Sequence, residues 1–182
     1  MHLSDGVIGL VGVALGFVLS SGYQECKERR ERRRLHKELL NELRANLYLI
    51  PLKKDIIQKM ITALNASNIL PGDGVGFCME LFSNHYGEIC QYMSIKERNS
   101  IHVIYDYLKT IDTTMGKCAD DLMENVETPA LRHYMSMYRA KLPDLLTSLD
   151  TAKDMIDLHL AGKPDDVFNM DEKPQVVQAS GK

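Results

Sequence analysis

From Gly6 to Tyr23 the chain reads GVIGLVGVALGFVLSSGY without a single charge, and QECKERRERRRLHK follows at once. An uncharged apolar run with a basic block on one flank is the pattern of a helix that crosses a bilayer with its basic end in the cytoplasm. The run is 18 residues long, about 27 Å as a helix, against a hydrocarbon layer of about 30 Å. Leu3 can extend it outward, Tyr23 suits the interface and Lys27 can snorkel back. A cleaved signal peptide would want a basic start, whereas MHLSD has none and carries Asp5. The positive charge just after Ser20-Ser21-Gly22 also opposes translocation. The expectation is a single-pass signal-anchor in a bacterial inner membrane, with a short N-terminus outside and the C-terminal domain cytoplasmic.

Within the run, Gly12, Gly16 and Ser20 recur every fourth residue. Small residues at that spacing let helix backbones approach closely, so this face is a candidate for a transmembrane homo-oligomer. The collar that follows holds Lys27, Arg29, Arg30, Arg32, Arg33, Arg34 and Lys37. Tyr23 to Lys37 has seven basic and three acidic residues, so a net charge of -3 for the whole chain leaves -7 on everything else. An acidic body behind a basic collar speaks against nucleic-acid binding by the domain. The collar is first an orientation signal, and second a candidate contact for anionic lipid or nucleic acid.

No Gly or Pro interrupts Glu25 to Leu47, so the anchor is expected to continue as one helix. Acid four residues before base (Glu25 to Arg29, Glu28 to Arg32) supports a solvated helix, and Glu38 before Glu42 is a mild clash. Leu40, Leu43, Leu47 and Ile50, then Ile57, Ile61 and Leu64, form an a/d seam that keeps phase across Pro51 and predicts a kink there rather than a break.

NASNILPGDGVG, Asn65 to Gly76, is dense in breakers and reads as a loop; its glycines have neither the spacing nor the Lys of a phosphate loop. A shorter helix follows from Phe77 to Met93. Ser94 and Glu97 form a capping box before a third helix with the seam Ile101, Ile104, Leu108, Ile111, Met115, Cys118 and Leu122. Thr128-Pro129 predicts the start of a last helix carrying Leu131, Met135, Tyr138, Leu142, Leu145, Leu149, Ala152 and Ile156, which Pro143 bends or splits and Gly162-Lys163-Pro164 ends. The expected architecture is all-α, an antiparallel bundle of about four helices on a membrane stalk. Its segments are 1–24 anchor, 25–66 collar and first long helix, 67–76 loop, 77–162 remaining helices and 163–182 disordered tail.

Chemistry is sparse. Cys26, Cys78, Cys90 and Cys118 match no zinc or disulfide spacing and are expected to act as small core residues, with Cys26 at the membrane surface. No Glu-x-x-His, H-E-x-x-H or G-x-S-x-G occurs. His85 with Glu88 and His102 with Asp106 sit one turn apart without a full ligand set, and His133 and His159 read as surface or boundary residues. No catalytic residue, metal or cofactor is expected. The sequence points to a membrane-anchored scaffold or adaptor working through an unknown protein partner, with an oligomerising effector and a lipid- or nucleic-acid-binding collar as alternatives.

Overall fold

A computed structural model describes the backbone of residues 3–70 and 74–171 and the side chains of 15–70 and 74–167. The described residues are all-helical. Helix α1 spans Leu3–Asn65, α2 Glu80–Ile89 with a 3-10 turn at Cys90–Tyr92, α3 Ile95–Glu124, α4 Leu131–Leu160 and α5 Pro164–Asp171. Helix α4 packs against both α1 and α3, α2 lies on α1, and α5 closes onto α3 and α4.

The seam on α1 runs through Leu39, Leu43, Asn46, Ile50, Lys53, Ile57, Met60 and Leu64, all buried. That is a strict 4-3 repeat which shares Leu43, Ile50, Ile57 and Leu64 with the expected seam and replaces Leu40, Leu47 and Ile61 by the residue before each. Leu40, Leu47 and Ile61 are half-buried flanks. Two of the row's positions carry Asn46 and Lys53, which an apolar pattern passes over, and at 39/40 and 60/61 two adjacent apolar residues leave the choice open. Helix α1 is unbroken through Pro51, which lies on its exposed side. The α3 seam is buried at all seven positions expected, and α4 buries every expected position except Leu131, which is half-buried. Helix α4 also continues through Pro143.

Local chemistry sets the helix ends. The Ser94 hydroxyl accepts the Glu97 N–H at 3.2 Å, and the Glu97 carboxylate accepts the Ser94 N–H at 2.8 Å. Gly162 takes φ 75, its N–H reaching the His159 carbonyl and that of Lys163 the Leu158 carbonyl, both at 3.0 Å. This is the Schellman end that a glycine permits. Helix α1 ends the same way with Ser67 at φ 58 in the glycine position, and the Arg139 guanidinium donates to the Leu64 carbonyl.

Three expectations are corrected. Thr128 does not cap α4: its hydroxyl donates to the Asn125 carbonyl and the helix begins at Leu131. The second helix starts at Glu80 rather than Phe77. The segment after Lys163 opens with helix α5, whose Val167 is fully buried and whose Asp165 pairs with Lys96 at 2.5 Å. A helix of eight residues is too short for a period to show. The remainder of the expected tail, 172–182, lies outside the described residues.

Candidate functional site

The predicted site residues lie on the N-terminal half of α1, where every side chain from Leu15 to Glu31 is exposed. Leu15, Phe17, Val18, Leu19 and Tyr23 are 57–74% exposed. Nothing comes within 4 Å of a Cβ placed at Gly16, and Ser20 is exposed. The surroundings of Gly12 lie outside the described residues, as do the side chains of Gly6 to Ala14. Among the described residues no helix is long and apolar enough to cross a membrane.

In the collar the cations divide into two groups. Arg29 pairs with Glu25 at 2.7 Å, Arg32 with Glu28 at 2.7 Å and Arg34 with Glu38 at 2.8 Å. Hydrogen bonding and charge from Glu38 raise the Arg34 pKa above its ordinary value. Glu38 therefore answers Arg34, and the expected clash with Glu42 does not arise because Glu42 turns into the fold. The Arg32 guanidinium also lies 3.8 Å over the Tyr92 ring, beside a cleft of ≈ 260 Å³ that Glu28 and Glu31 help to line. Lys27, Arg30, Arg33 and Lys37 are exposed and make no ion pair among the described residues.

Sequence reasoning missed a buried polar clasp. Glu42 accepts the N–H groups of Leu81 at 2.8 Å and Phe82 at 3.3 Å, so a carboxylate on α1 caps the first turn of α2. The Tyr105 hydroxyl donates to the same carboxylate at 2.6 Å, and burial with Glu42 beside it pushes the Tyr105 pKa far up. Asn46 exchanges two hydrogen bonds with the backbone of Cys78, at 2.9 and 2.8 Å. Lys53 pairs with Asp112 at 2.5 Å, and the other Asp112 oxygen accepts the Phe77 N–H at 2.7 Å. Glu42, Asn46 and Lys53 thus hold the 77–82 strip by its backbone across the α1–α3 groove. Polar residues at spacings of four and seven inside an apolar repeat were the available signal.

A second polar pair joins α3 to α4. The Ser100 hydroxyl lies 2.8 Å from His159 Nδ1. Burial lowers the His159 pKa, with nearby Glu97 opposing the shift and His36 reinforcing it. His159 is therefore a core residue rather than a surface one. It lines a cleft of ≈ 420 Å³ with His36, Ser94 and Glu97. Burial alone would raise the Glu97 pKa; the Ser94 backbone and hydroxyl bonds outweigh it and lower it. Ser100 is fully buried, so a substrate carbonyl cannot reach its hydroxyl, and the pair acts as a tie between helices.

His85 and His102 lie 3.7 Å from Glu88 and Asp106; His85 is half-buried and the other three side chains are exposed. Among the described residues no group of three or more His, Cys, Asp or Glu is arranged to hold a metal. Two cysteines depart from the expected core positions: Cys78 is exposed and Cys90 half-buried, whereas Cys118 is buried; Cys26, set apart from the core, is exposed. Burial and nearby Asp121 push the Cys118 thiol up to about 12, which keeps it protonated and inert. The chain matches no protein family, no curated protein and no solved structure.

Proposed function

We propose that this chain is a single-pass, membrane-anchored helical scaffold or adaptor that presents a cytoplasmic bundle to a protein partner. The observation that supports the reading is one helix with two surroundings. Helix α1 carries its uncharged stretch, with Phe17 at 73% exposure, straight into the collar and then into the core. A row of exposed Leu, Phe and Val costs free energy in water and none in lipid. The Lys and Arg that follow set the collar on the cytoplasmic side by the positive-inside rule. Farther along α1, Tyr48 and Leu52 lie one turn apart at 80% and 61% exposure and offer an apolar contact to a partner.

Alkaline carbonate extraction of cells expressing the full chain tests the anchor. The protein should stay in the membrane pellet, and deletion of residues 1–24 should release a folded bundle. Full recovery of the intact chain in the supernatant overturns the anchor. A photo-crosslinker at Tyr48 or Leu52 should then give a discrete heteromeric product in membranes; no product at either position, with the chain in place, overturns the adaptor role.

A further inference from the structure

At about 100° per residue, Lys27, Arg30, Arg33 and Lys37 fall within a sector of roughly 120° on α1. Its buried row, Leu39 through Leu64, centres about 180° away around the same helix. Glu25, Glu28 and Glu31 lie on the bundle side, where Glu28 and Glu31 face the cleft beside Tyr92. The collar is therefore partly sorted: Glu25, Glu28, Glu31 and Arg32 turn toward the bundle, Arg29 lies at the edge, and the outward sector carries four exposed cations without an ion-pair partner among the described residues, together with Arg34, whose charge Glu38 answers. A uniform collar would serve equally well to set orientation, so the sorting points to a ligand on one side.

We propose that this outward stripe binds anionic phospholipid headgroups and leans α1 onto the membrane on the side opposite the bundle. The inference rests on the anchor proposed above. Three features of the molecule favour lipid. The stripe begins four residues after Tyr23, at the end of the exposed apolar stretch. Helical side chains tilt toward the N-terminus, so all four cations reach back toward that stretch. The rest of the chain is acidic, which opposes a long polyanion laid across the bundle. The stripe is roughly 15 Å long, so an upright helix would hold only its first two cations near the headgroups. A tilt toward the stripe brings down the others and lifts the bundle clear.

The test uses the full chain in neutral-detergent micelles, titrated calorimetrically with short-chain phosphatidylglycerol, short-chain phosphatidylcholine or a DNA duplex, at low and high salt. A cation at an anionic surface strengthens binding about fivefold. The stripe variant K27Q/R30Q/R33Q/K37Q should lose at least ~10-fold in phosphatidylglycerol affinity, and the wild-type affinity should fall with salt. The control R29Q/R32Q/R34Q, which removes the paired arginines, should stay within about threefold of wild type, because those charges are already answered. Equal losses in the two variants, no preference for phosphatidylglycerol over phosphatidylcholine, or tighter stripe-dependent binding of the duplex would each overturn the proposal. Co-migration of the unligated chain with the micelle on sizing reports the anchor separately. A chain that leaves the micelle defeats the anchor; a micelle-bound chain indifferent to headgroup charge defeats the stripe alone.

Discussion

The two halves of α1 share one backbone ladder and differ in everything the ladder touches. From Leu39 onward the helix buries a strict 4-3 row in the bundle; from Leu15 to Glu31 every side chain is exposed. An isolated helix in water is marginal even when its sequence favours helix, and most helical stability comes from packing one face. The packed half meets that requirement inside the protein. The exposed half offers apolar side chains on every side of the helix at Leu15, Phe17, Val18 and Leu19. The anchor proposed above would give it a lipid surround. The contrast teaches that one secondary-structure element can belong to two environments, the register of its polar residues marking the change.

The sharpest way to break this comparison is to cut equivalent side chains from both halves. Leu43 is fully buried, so Leu43→Ala should cost about 3 kcal/mol, read by chemical denaturation of the full chain in neutral micelles. Leu19→Ala should leave that transition in place; similar losses from both would erase the distinction. Next comes the clasp. Glu42→Ala strips the acceptor from two half-buried N–H groups and the buried Tyr105 hydroxyl. A loss of about 2 kcal/mol is expected in the same assay, with earlier amide exchange in α2 than in α3.

Much of the packed half was legible in the sequence because α3 and α4 carry uninterrupted seams. Cys118 and Met115 sit where the period puts them, and the Ser94–Glu97 box formed as its spacing requires. The α1 row was less legible because Asn46 and Lys53 look like surface residues until the 77–82 strip and Asp112 are placed against them. Ser100 and His159, 59 positions apart in sequence, had no local signal at all: their pairing depends on how α3 meets α4. The collar was readable as charge, but which side faced outward depended on the bundle's position.

Smaller effects sharpen the picture at the margins of the packed half. Ser67 holds a left-handed backbone, so Ser67→Gly should stabilise the bundle by about 1 kcal/mol, visible as a higher denaturant midpoint. A gentler response is expected from pH. The folded pKa of His159 lies below the ordinary 6.5 because burial disfavours its charge. On acidification the unfolded chain therefore takes up this proton first, and stability present above that pH is lost as pH falls through the folded value. His159→Gln should flatten this part of the profile between about pH 7.5 and 5.5 in urea titrations; an unchanged slope would assign the acid sensitivity elsewhere. The smallest effect belongs to the collar: Arg29→Gln removes a 2.7 Å pair whose side chains are 66% and 64% exposed, and the bundle's transition should not move.

The unbroken run of α1 has a mechanical consequence once its first half is placed in a bilayer. From Tyr23 to Asn65 the helix is one continuous element roughly 60 Å long, with no glycine or loop inside it and Pro51 as its one proline. Hydrophobic spans adjust to bilayer thickness by changing tilt, commonly by about 20°. A rod pivoting through that angle sweeps its far end sideways by roughly 20 Å, comparable to the length of α2 and its turn together. The core grips the distal half of the lever, so on the proposed anchor the bundle would travel with it as a pointer whose reading is the thickness of the membrane beneath.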